Sequence, residues 1–255
     1  MPTVKRLTHY EHMRIMRHSA PDRGKVWTMR VTKGSIEEVA GVAKDKNSIM
    51  CGSCTKFECK INYPEGIPAW CAATSFRAAL ESTKQEYATP NNLEIYRAAA
   101  KVIQSDYGKW TRIKEAIEFA KELKLEKIGL ASCVALLSEL GLVAKLFTGA
   151  GFEVVSSACQ IGKVSPEERG VAFDSTDHRG LTCNPIAQAE ICNQAGTQLN
   201  FLLGLCLGHD ILFTRRSQAP VSTLIVKDRV TGHNPAAALY ADPLRQSLFK
   251  TYCKK

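Results

Sequence analysis

Ten cysteines stand in this 255-residue chain, and their spacing is the first chemical signal. CGSCTKFEC places Cys51, Cys54 and Cys59 in a Cys-x2-Cys-x4-Cys run, and Cys71 follows in IPAWC. Four thiols so close in sequence, with glycine and prolines to turn the backbone, can enclose one metal ion tetrahedrally or hold an iron–sulfur cluster. A second set is spread over the later half of the chain. KIGLASC ends on Cys133, GFEVVSSAC on Cys159 and LNFLLGLC on Cys206, while Cys183 opens CNPIAQAEIC. Gly-His-Asp follows Cys206 almost at once, bringing His209 and Asp210. In a reducing compartment so many thiols argue for metal or thiolate chemistry over a disulfide framework.

The elements that position these thiols can be read from the periodicity. Lys127 to Cys133, Phe152 to Cys159, Leu199 to Cys206 and Val221 to Asp228 read as strands. Helical patterns separate them: VALLSELGLVAKLFTGAG, then CNPIAQAEICNQAG with Asn184 as cap and Pro185 in the first turn, then HDILFTRRSQA. Strands alternating with helices predict a small parallel α/β sheet of about four strands, Rossmann-like, in the order 2-1-3-4. No GxGxxG follows the first strand, so the dinucleotide fingerprint is absent. Upstream, residues 72–124 read as helical, and Ile113, Ala116, Ile117, Ala120 and Leu123 fall on one face. The expected organisation is a basic arm (1–47), a cysteine knuckle with a helical segment (48–124) and an α/β domain (125–255).

Ligands of open parallel sheets bind beyond the carboxyl ends of the strands. Three predicted strands end on cysteine and Cys183 precedes a helix start, so right-handed crossovers gather all four thiols at one edge. The fourth strand delivers Lys227 and Asp228 to that edge, and His233 lies a few residues beyond. One strand-end cysteine is commonly a small buried hydrophobe; four at one edge call for a joint explanation. His209, Asp210, Lys227, Asp228 and His233 are the candidates for proton transfer and charge. Cys192 in mid-helix and Cys253 in the basic tail are not expected to be ligands. His9, His12, His18 and His178 read as solvent-facing.

Seven of these segments carry a resemblance: CGSCTKFEC with Cys71, TRIKEAIEFAKEL, KIGLASC, GFEVVSSAC, CNPIAQAEICN, LNFLLGLCLGHD and VKDRVTGHNPAAALY. Between about residues 51 and 240 the chain resembles an uncharacterised prokaryotic family of predicted metal-binding proteins. The resemblance implies metal binding and supplies no reaction. The arm 1–47 has no counterpart in that family.

Three functions fit these residues. The first is an iron–sulfur protein with a [4Fe–4S] cluster on three or all four of Cys133, Cys159, Cys183 and Cys206, acting in redox or sulfur-type small-molecule chemistry. A second cluster or a zinc ion would then sit on Cys51, Cys54, Cys59 and Cys71. The alternative is a zinc or soft-metal carrier or sensor without turnover. The third, a thiol enzyme with Cys206 as nucleophile and His209 as base, leaves the convergence of four thiols unexplained.

Charge bounds the partners. The net charge is +9, and residues 1–47 hold ten Lys/Arg against five Asp/Glu. Such an arm suits an acidic protein partner or an anionic small molecule. Without a helix-turn-helix or basic–aromatic interleaving, nucleic acid is disfavoured. No apolar run reaches membrane-spanning length and no secretory leader is evident, so the expectation is a cytoplasmic protein with no membrane association.

Overall fold

A computed structural model describes residues 51–54, 67, 70–170 and 182–253. The expected arm 1–47 and Cys59 lie outside the described residues.

The sheet forms where the sequence carries apolar runs bounded by turn residues. The strands are β1 (Lys127–Ser132), β2 (Glu153–Ala158), β3 (Leu199–Leu203) and β4 (Val221–Ile225). All pair in parallel, in the order β2-β1-β3-β4 that the sequence predicts. Each strand stops before the residue expected to end it. Cys133, Cys159, Cys206 and Lys227 therefore sit on the loops just past the sheet, not inside the ladder.

Among the described residues, four helices precede the sheet: α1 (Ala72–Ser75), α2 (Arg77–Thr83), α3 (Pro90–Asp106) and α4 (Arg112–Glu122). α5 (Leu137–Gly149) joins β1 to β2, α6 (Pro185–Gln194) precedes β3, and α7 (His209–Arg216) joins β3 to β4. α8 (Ala237–Tyr240) and α9 (Asp242–Tyr252) follow. The predicted helical block 72–124 is broken where Gly108, with φ of 78°, turns the chain between α3 and α4. HNPAAALY begins this last helical stretch, and none of the α9 residues is buried.

The two-residue period of the strands sorts side chains onto two faces. Ile128, Leu130, Leu199, Phe201 and Leu203 point to one, against Ala116 and Ala120 of α4 and Leu140, Val143 and Phe147 of α5. Phe147 is fully buried, its ring centroid 5.4 Å from Phe201 and 5.8 Å from Phe152. Ala131 and Leu202 point to the other face, where Ala189 and Cys192 of α6 and Phe213 of α7 cover them. The result is three layers, helix–sheet–helix.

One polar side chain of this core is held on both of its polar atoms, whereas Ser157 Oγ and Gln188 Oε1 are buried with no hydrogen-bond partner among the described residues. Asn200, fully buried on β3, accepts from the Thr197 hydroxyl (2.7 Å) and donates to the Ser217 hydroxyl (2.8 Å). Its side chain occupies the space beside Gly129 on β1, where a Cβ would fall 1.9 Å from Asn200 Oδ1. At the β4 edge, Arg112 Nε donates to the Thr223 carbonyl (2.8 Å) and Nη2 to the Ser222 hydroxyl (3.0 Å). Among the described residues, no helix is long and apolar enough to cross a membrane.

Candidate functional site

In the order β2-β1-β3-β4 the chain leaves β1 in one direction and returns on its other side, so the switch point lies between β1 and β3. Ligands of such sheets bind beyond the strand ends at this point. Cys133 follows β1 and Cys206 lies three residues beyond β3. Cys159 follows β2 at one side of this pair.

Cys183 is brought in by the start of α6. Asn184 caps that helix, its Oδ1 accepting from the Ala187 N–H at 3.1 Å, and Pro185 fills the first position. The Asn184 N–H donates to the Cys159 carbonyl at 2.6 Å, stapling the two cysteine segments together. Arg169 Nη1 donates to the Cys183 carbonyl (3.0 Å) and Nη2 to Val164 O (2.6 Å), which fixes the approach from the preceding loop. The sulfurs of Cys159 and Cys183 lie 3.4 Å apart.

Lys227 reaches in from the loop after β4. Its Nζ is 2.6 Å from Cys133 Sγ and 3.7 Å from Cys206 Sγ, while Arg229 Nη2 is 3.6 Å from Cys206 Sγ. Backbone donors add to this: the Val134 N–H meets Cys159 Sγ at 3.4 Å and the Ala135 N–H meets Cys133 Sγ at 3.5 Å. The VAL turn after Cys133 thus supplies N–H groups to sulfur.

The thiols differ in acidity because their partners differ. Burial raises the Cys133 pKa, but the hydrogen bond from Lys227, the Ala135 N–H and the lysine charge outweigh it, so the thiol is held below its ordinary value. Cys159 lacks such a cation, and burial pushes it up to about 12. Burial raises Cys183 as well. Of these three thiols, Cys133 is therefore the one most readily ionised.

Removing the cation tests this assignment. In chelator-treated protein, Lys227→Met leaves burial as the dominant influence on Cys133. Alkylation of Cys133 by iodoacetamide at pH 7 should slow, because a smaller share of the sulfur is then thiolate. The midpoint of its pH profile should rise. An unchanged midpoint would show that Lys227 does not set the charge of this sulfur.

The remaining candidates are divided between the site and its scaffolding. His209 begins α7; burial, then the charges of Arg169 and Lys227, push its pKa down, and its Nδ1 has no hydrogen-bond partner among the described residues. Asp210 Oδ1 accepts from the N–H groups of Gly208 (3.0 Å) and Ile211 (2.8 Å), so it shapes the turn into α7. Asp228 Oδ1 accepts from the N–H groups of Val230 (2.9 Å) and Thr231 (3.1 Å), and hydrogen bonding from Thr231 and then Val230 holds its carboxyl below the usual range. His233, at a φ of 69°, closes the same turn by accepting the Asp228 N–H on Nδ1 at 3.1 Å. A small cleft of about 90 Å³ opens beside Lys227, walled by Leu205, Leu207, Asp210 and Ile225.

Of the other cysteine set, Cys51 and Cys54 lie on one short turn in which the Cys54 N–H donates to the Cys51 carbonyl at 3.2 Å, and Cys71 directly precedes α1. Cys192 is fully buried in α6 and faces Thr197. Arg169 was missed in the sequence because it stands in a polar loop with no motif around it.

The molecule is thus a three-layer α/β protein with a thiol-lined switch point. The chain belongs to the family described as "Protein of unknown function (DUF1847)", which matches residues 71–224. "Uncharacterized protein MJ0455" of Methanocaldococcus jannaschii is 42% identical over 156 residues, spanning 61% of this chain and 80% of the relative. All four sheet-edge cysteines fall inside the family match, whereas Lys227, Arg229 and Cys51 to Cys59 fall outside it.

Proposed function

We propose that this protein binds a soft metal at the switch point, with Cys133, Cys159, Cys183 and Cys206 as its donors. The observation that carries the reading is the gathering of four thiols from four separate segments around strand ends, two of them 3.4 Å apart. The donor set fits a soft metal by its chemistry. Lys227, drawn to two of the sulfurs, marks the place as one that takes a cation. Among the described residues, no three His, Cys, Asp or Glu side chains stand as a ready-formed cage. Loading therefore requires Lys227 to withdraw and the raised thiols of Cys159 and Cys183 to release protons, so that metal affinity rises with pH.

A single ion is the form the geometry favours. With a Zn–S bond of about 2.3 Å, two tetrahedral thiolates stand roughly 3.8 Å apart, close to the observed separation of Cys159 and Cys183. A [4Fe–4S] cluster is the second reading, favoured by the Val134 and Ala135 N–H groups on sulfur, since such donors tune clusters. Bound metal would supply Lewis acidity or electron transfer at the cleft. The chain itself supplies positive charge from Lys227 and Arg229, suited to an anionic small molecule. Cys51, Cys54, Cys59 and Cys71 are proposed as a second, structural metal site, and the basic arm as a contact for an acidic partner.

The test is iron, acid-labile sulfide and zinc per chain, measured on anaerobically purified protein together with its visible spectrum. Colourless protein with about one or two zinc ions supports the single-ion form. Brown protein with about four irons and four sulfides per cluster supports the second reading. Protein that neither retains nor takes up any soft metal refutes both.

A further inference from the structure

We infer that Cys159 and Cys183 form a reversible disulfide, making the sheet edge a site of thiol–disulfide exchange. The inference does not rest on metal binding. It rests on the placement of the two residues. Their sulfurs lie 3.4 Å apart although 24 residues separate them in sequence. Their backbones are already joined, because the Asn184 N–H donates to the Cys159 carbonyl at 2.6 Å. A disulfide needs the sulfurs at about 2.05 Å, a closure of little more than an ångström that side-chain rotation can provide. The ends of the cross-link are anchored independently, by β2 on one side and by the capped start of α6 on the other.

The other thiols are differently engaged. Cys206 faces Lys227 and Arg229, and Cys192 faces Thr197. Cys133 is held by Lys227 and also reaches Cys159, so a Cys133–Cys159 bond is the competing pairing.

The oxidant is a low-molecular-weight disulfide. One protein thiol gives up its proton and attacks it as the thiolate, and the departing thiolate takes up a proton; the second protein sulfur, deprotonated in turn, attacks the mixed disulfide and releases the other thiol. Two protein S–H bonds and one oxidant S–S bond are lost, while one protein S–S bond and two S–H bonds form. Two electrons and two protons pass to the oxidant. The product has two of its four switch-point sulfurs withdrawn from metal binding.

The experiment uses the full chain, reduced and then stripped with a chelator, and incubated with oxidised glutathione. Free thiols are trapped by alkylation after acid quenching and unfolding, and the digest is analysed by mass spectrometry without reduction. We expect a peptide linking Cys159 to Cys183 in most chains, lost on adding dithiothreitol and absent from Cys183→Ser. Should that variant fail to fold, the wild-type digest decides, with Cys192 as the buried thiol that stays free. The inference is overturned if Cys159 and Cys183 remain free once Cys51 and Cys253 are fully oxidised. It is equally overturned if either is recovered only as a glutathione adduct, or if the link joins Cys133 to Cys159. Metal content is measured separately on reduced protein, so failure of this inference and failure of the metal reading are distinguishable.

Discussion

Gly129→Ala should lower the stability of the folded chain by about 3 kcal/mol or more. The added methyl group would lie 1.9 Å from Asn200 Oδ1 and 2.9 Å from Cys192 Sγ. Neither neighbour yields easily. Asn200 is held by Thr197 and Ser217, so displacing it leaves buried polar groups unpaired, while Cys192 is fixed in α6. β1 itself cannot retreat, because β2 and β3 flank it on both sides. Thermal unfolding should register a drop of roughly 6–12 °C, at about 2–4 °C per kcal/mol for a protein of this size. Shortening the neighbour in the double variant Gly129→Ala, Asn200→Ser should recover part of the loss. A single variant as stable as the native chain would mean that the sheet gives way and that the close approach is not a constraint.

Cys183→Ser should reduce metal occupancy at the switch point by at least about tenfold, since an alcohol is a poor substitute for a soft thiolate donor. Cys192→Ser is the matched control. Cys192 is at least as deeply buried but lies on the covered face of α6, away from the strand ends, and metal content should not change. Metal bound at Cys51, Cys54, Cys59 and Cys71 should survive both changes. Metal analysis of the purified variants, with circular dichroism to confirm folding, gives the answer. Equal metal in Cys183→Ser and native protein would exclude Cys183 from the donor set.

The parts of the architecture legible from sequence are those governed by short-range patterning. KIGLAS and LNFLL place apolar residues on both faces, as a buried parallel strand does, and both form. Asn184-Pro185 announced the start of α6, and the Asn184 cap is made. The placement of thiols past the strand ends followed from topology alone. Partnerships made over long sequence distances were not legible. Nothing in the sequence says that Lys227 will contact Cys133, 94 residues away, or that Arg169 will hold the Cys183 carbonyl. Nor could residue type reveal that Asp210, Asp228 and His233 spend hydrogen-bonding atoms on their own turns. A carboxylate beside a glycine reads equally well as catalyst or as turn-former, and backbone geometry decides between them.

Arg112 carries a consequence for how copies of this chain meet one another. Among the described residues β4 is an outer strand, and its Thr223 carbonyl faces away from β3, where an incoming strand would pair. The guanidinium of Arg112 occupies that acceptor and the neighbouring Ser222 hydroxyl, with a charge that an approaching backbone would have to desolvate. One side chain from α4 thereby occupies an acceptor that edge-to-edge strand pairing would need, and charge of this kind on an edge disfavours such pairing.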